Sequence, residues 1–210
     1  MTAGTVSATP DRSEFRHVLA GGTRVGLTVG AAVVIYLLVS RYVPAGMARA
    51  IVQTLVVLAA AVAASLLPAA WTAARSAEGI AGAAAVGLWG TIVFMAIDVV
   101  ILRPLNHVVH TYPWTWDAVG GGSTWWYLPI WWMLGTFVAW MGGLLTAGRA
   151  ARGAATTLGG LAMPILAGTI LLTAIAGIAR LGIYVPVAAG AAYTISLTVL
   201  AVVAIAPRKA

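Results

Sequence analysis

The sequence predicts an all-α integral membrane protein: a six-transmembrane-helix bundle with a short N-terminal interfacial helix. Three observations predict it. Hydrophobic residues make up 61% of the 210 positions and charged residues only 8%, against roughly a quarter charged in soluble globular domains. The apolar residues form six long runs, each about long enough to cross a ~30 Å hydrocarbon core at ~1.5 Å per residue. The links between runs are short, with one exception between the third and the fourth.

The chain begins with a polar segment, residues 1–23. Thr9-Pro10-Asp11 reads as a helix start: a capping hydroxyl, proline at the first helical position and an acid in the first turn. Phe15, Val18 and Leu19 then share a face, which predicts a helix lying on the membrane surface until Gly21-Gly22 ends it. The segment lacks an apolar h-region, so no cleavable signal peptide is expected and the first apolar run itself serves as the membrane signal. The membrane domain, residues 24–206, carries spans near 25–43, 50–72, 80–102, 125–147, 156–179 and 183–206, followed by a tail at 207–210. Pro68 and Pro164 fall inside the second and fifth spans and are expected to kink them. Gly26 and Gly30, with Ala59, Ala60, Ala63 and Ala64, supply small surfaces for close helix packing within the chain.

Lys and Arg set the expected orientation. With a cytoplasmic N-terminus, Arg12, Arg16, Arg24, Arg75, Arg149, Arg152, Arg208 and Lys209 lie inside, and Arg41, Arg49, Arg103 and Arg180 outside. Eight against four favours both termini in the cytoplasm of a multi-pass cell-membrane protein, with the aromatic loop 103–124 extracytoplasmic. The net charge of +7 comes from singly scattered basic residues at the ends of apolar runs, where they meet lipid head groups; no nucleic acid is expected as a partner.

Composition excludes several chemistries. Without cysteine there are no disulfides, no Fe–S clusters and no thiolate zinc sites. The single lysine, Lys209, lies in the tail, so no retinal Schiff base forms in a span. None of the predicted spans holds a histidine for an intramembrane haem, an arginine-rich helix or a chain of ionisable groups. No G-x-x-x-x-G-K-[ST] loop is present.

What remains concentrates between Asp98 and Trp140, a stretch holding seven of the nine tryptophans, two of the three histidines and two of the five acids. Asp98 is the only acid well within a span. A carboxylate costs roughly 2.5–3.5 kcal/mol at a helix centre and less near the interface, so it should face protein or water. It reads either as an acid, ligand or ion contact, or as half of a structural pair with Arg103. His107 and His110 are three apart and would share a helix face. With Asp98, and with Asp117 completing the set, they offer nitrogen and oxygen donors suited to copper, zinc or iron if a metal is present.

Tyr112, Trp114, Trp116 and Trp125 sit near the expected outer interface, where aromatic belts are normal. Trp125, Trp132 and Trp140 are spaced by seven and eight and share one face, which packs against helices, meets lipid or lines a ligand cavity. Gly120-Gly121-Gly122 allows a tight turn into the fourth span, with Ser123 or Thr124 as its cap.

Four functions are consistent with these residues. The first is a binding or translocation module for a small apolar or lipid-like ligand, held in an aromatic pocket with one acid near the outer face and working with partner subunits. The second is an enzyme acting on an isoprenoid or other lipid-soluble substrate, with Asp98 as general acid and His107 or His110 reprotonating it. A metal-dependent oxidase-type subunit and a purely structural subunit are the third and fourth. The residues assign no particular cofactor.

Overall fold

The computed structural model describes residues 14–102 and 127–206. Among these, every element is helical: α1 (Phe15–Tyr42), α2 (Met47–Trp71), α3 (Ala77–Ile97), α4 (Tyr127–Ala151), α5 (Leu158–Ile178) and α6 (Val185–Ile205). The last residues of α3 pass directly into a π-helical turn, Asp98–Leu102. Five helices, all but α4, are long and apolar enough to cross a membrane. At 25 residues, α4 has the length as well. The six runs read from the sequence are these six helices. Their ends agree to within a few residues, except at the start of α1.

That start corrects one expectation. Gly21-Gly22 does not end a surface helix. The helix is continuous from Phe15 to Tyr42, and both glycines are buried inside it. Glycine is about 1 kcal/mol worse than alanine in an exposed helix, but here the missing side chain is what lets two helices meet. A Cβ on Gly22 would lie 2.7 Å from the Trp89 side chain, and one on Gly26 would lie 2.6 Å from the Gly90 carbonyl oxygen. Gly30 continues the row against Ile97. The glycine stripe therefore docks α1 against α3 of the same chain, as small residues do where lipid offers no hydrophobic driving force. The expected helix start at Thr9-Pro10-Asp11 lies outside the described residues.

The same device recurs at the other interfaces. Gly87 of α3 faces Ala139 and the Gly135 carbonyl of α4, Gly142 of α4 faces the Ser65 carbonyl of α2, Gly148 of α4 faces Ala204 of α6, and Gly168 of α5 faces Ser196 of α6. These contacts fix the arrangement. α1 and α3 run parallel, because residues 22, 26 and 30 meet 89, 90 and 97 in order. α3 and α4 are antiparallel, since Gly87 meets Ala139 while Thr91 meets Gly135. Neighbouring helices follow the order α1, α3, α4, α6, α5, and α2 packs across α1, α3, α4 and α6.

The core centres on Leu66, Leu145, Ile165, Tyr193 and Leu197. A buried polar pair adjoins it: Ser65 Oγ and Tyr193 Oη share a 2.7 Å hydrogen bond. Pro68 and Pro164 are accommodated inside α2 and α5. Thr72, four residues after Pro68, donates its hydroxyl to the Pro68 carbonyl at 2.9 Å and so closes the end of α2.

Candidate functional site

The bundle has two ends. α1 begins and α6 finishes at the termini end. The other end carries the α1–α2 and α5–α6 turns and the π-helical turn of α3.

Asp98 stands at that second end and is 3% exposed. Its burial follows from one stripe along α3. Gly87, Thr91, Phe94, Asp98 and Leu102 are all buried, whereas Val99, Val100 and Ile101 point outward. Gly87 and Thr91 of this stripe meet α4 at Ala139 and Gly135, so the stripe carries Asp98 up the inward side of α3. The α-to-π transition falls on the aspartate itself. Its backbone N–H donates to both the Met95 and the Phe94 carbonyls. A π-turn spends backbone regularity that an apolar membrane helix has no reason to give up, and such turns recur at functional sites.

His107, His110, Tyr112, Trp114, Trp116, Asp117 and Trp125, with Arg103, lie outside the described residues. The Asp98–Arg103 pair and the histidine metal set therefore fall there too. Among the described residues no three His, Asp or Glu side chains come together to hold a metal ion. The other two members of the tryptophan stripe are described. Trp132 and Trp140 sit on the outer surface of α4, each 45% exposed.

A second polar group shares this end and was not singled out in the sequence. Gln53 of α2 is 2% exposed. Its amide nitrogen donates to Ser40 Oγ of α1 at 2.7 Å, and its amide oxygen accepts the hydroxyl of Tyr184, the residue that opens α6. Arg49 adds a 3.1 Å bond to the Ser40 carbonyl. One side chain thus ties α1, α2 and the start of α6 together. The sequence carries a signal for it, since Gln53 is the chain's only glutamine and lies within an apolar run.

Hydrogen bonds between membrane helices average ~0.6 kcal/mol and reach ~1.7. Gln53→Leu, which removes two of them, should destabilise the protein by about 1–2 kcal/mol. Thermal unfolding in detergent measures this, and an unchanged midpoint would show that the network carries no weight.

Beside the network, the α5–α6 turn holds Arg180 and Gly182 at positive φ, 52° and 67°. The turn caps a cleft of about 230 Å³ between Thr173, Arg180, Ile183 and Val185. The Thr173 hydroxyl is buried and makes no hydrogen bond among the described residues.

The fold and this distribution of surface define a class. Side chains such as Leu55, Met133, Ile170 and Ile178 stand 61–84% exposed on the outside of the bundle, a surface that suits a bilayer and not water. The chain is a multi-pass helical membrane protein in contact with lipid. No family model, characterised protein or solved structure matches it.

Proposed function

We propose that the protein is a binding or translocation module for a small apolar or lipid-like ligand, held at the Asp98 end of the bundle near the outer membrane face and working with partner subunits. The observation that carries this reading is the burial of Asp98: a carboxylic acid 3% exposed in an apolar bundle, at the point where α3 changes its winding. Ionisable groups at membrane depth are expensive, and their commonest reason is function. The aromatic segment with Tyr112, Trp114, Trp116, Asp117 and Trp125 follows Asp98 directly in sequence and supplies flat apolar faces for such a ligand. Trp132 and Trp140 meet the lipid from which it arrives.

The orientation belongs to this proposal. Among the described residues the termini end carries Arg16, Arg24, Arg75, Arg149 and Arg152, and the Asp98 end carries Arg41, Arg49 and Arg180. The bias supports a cytoplasmic position for the termini end. Cysteine placed at position 209 should resist an impermeant thiol reagent in intact cells, and labelling there would invert the topology.

Native mass spectrometry of the protein in mild detergent, combined with elemental analysis, tests the function. The expected spectrum shows one retained lipid-like molecule and no stoichiometric metal. A spectrum of bare protein contradicts the reading, a stoichiometric metal replaces it with the oxidase-type alternative, and turnover of the retained lipid makes Asp98 a general acid.

A further inference from the structure

We propose a second site, at the opposite end of the bundle: a cleft between the C-terminal ends of α4 and α6 that binds a phosphate group presented by an anionic phospholipid. The cleft encloses about 530 Å³ and is lined by Arg75, Gly148, Ala151, Arg152 and Ile205, among other small residues. Two arginines therefore line one space, and among the described residues no Asp or Glu lines it.

The two arginines have different local roles. Arg75 sits in the α2–α3 turn, is exposed, and makes no side-chain hydrogen bond or ion pair among the described residues. Among the described residues no group competes for its charge. Arg152 donates Nη2 to the Val203 carbonyl at 2.6 Å and to the Ala206 carbonyl at 3.4 Å. Those carbonyls belong to the end of α6, where the helix dipole presents partial negative charge and by itself would repel an anion. Arg152 covers them and so reverses the sign of the cleft floor. Its remaining N–H groups are available for a phosphate, which guanidinium binds with two parallel hydrogen bonds.

The surroundings favour a lipid as the source of that phosphate. The cleft lies at the ends of membrane helices, at head-group level. From it, Val203, Val202 and Val199 run down the outside of α6, each more than half exposed, and form an apolar track for an acyl chain. Basic pockets between helix ends are a known way of selecting anionic head groups. The site stands apart from Asp98 and does not depend on the function proposed there.

The test uses the full chain in mild detergent, titrated by native mass spectrometry with phosphatidylglycerol, with phosphatidylcholine and with inorganic phosphate. Phosphatidylglycerol should bind in preference to phosphatidylcholine, and inorganic phosphate should not displace it. Arg75→Gln should weaken phosphatidylglycerol binding about tenfold, the loss of one charge-assisted contact. Because Arg75 holds no other group in place, this variant should keep the wild-type unfolding temperature. Arg152→Gln should weaken binding further and also loosen the end of α6. Equal retention of the two lipids, or phosphatidylglycerol binding unchanged in Arg75→Gln, would overturn the site. Displacement by inorganic phosphate would overturn its assignment to a lipid. Asp98→Asn should leave this binding intact, so the two sites fail separately.

Discussion

Gly142→Ala should be among the most damaging single-methyl changes in the protein. A Cβ built on Gly142 falls directly on the carbonyl group of Ser65, so the obstacle is backbone and cannot rotate aside. Ser65 is also held from the other side by its hydrogen bond to Tyr193, and Gly143 lies against Ile80 and Ala83 of α3. α4 can escape only by parting from α2. Overpacking a well-packed core typically costs ~1–3 kcal/mol; a clash with the Ser65 backbone belongs at or above the top of that range. Gly159→Ala is the control, since a Cβ at Gly159 meets nothing within 4 Å and alanine is the better helix former. Thermal unfolding in detergent should show Gly142→Ala well below wild type and Gly159→Ala at or above it. Equal midpoints for the two variants would mean that α2 and α4 do not meet as described.

Asp98→Asn should do the reverse, sparing the fold and removing the function. The amide keeps the shape of the carboxyl and can still hydrogen-bond, but it carries no charge and cannot give up or take a proton in the same way. If Asp98 serves only to pair with Arg103, Asp98→Asn should cost modest stability and Arg103→Gln should do similar harm. If it meets a ligand, Asp98→Asn should unfold at the wild-type temperature while losing ligand binding by at least about tenfold, the scale of one lost charged hydrogen bond, and Arg103→Gln should not reproduce that loss.

Different parts of this molecule were legible to different degrees. The spans were readable because bilayer thickness fixes helix length, and run length is a local property. The burial of Asp98 was readable because a carboxylate in an apolar run must face protein or water. The start of α1 was misread for a physical reason. Gly21-Gly22 is a helix breaker by local propensity, and only the approach of Trp89 and Gly90 from α3 turns it into a packing surface. Gly26 and Gly30 were recognised as packing residues, but which helix they meet depends on tertiary arrangement that no window of sequence contains. Gln53 was overlooked because its partners, Ser40 and Tyr184, are 13 and 131 residues away. Trp132 and Trp140 show the limit of periodicity: spacing put them on one face of α4 but did not say that this face looks outward.

The most direct measurement is the amount of lipid-like ligand retained by wild-type protein and by Asp98→Asn, compared by native mass spectrometry in the same detergent at matched unfolding temperature. A binding module organised around Asp98 predicts one retained molecule per wild-type chain, beyond any phospholipid held at the Arg75–Arg152 cleft, and none, or a small fraction, of that molecule in the variant. Equal retention by two equally folded proteins would contradict it, and the aromatic segment beyond Asp98 would then be an interfacial belt.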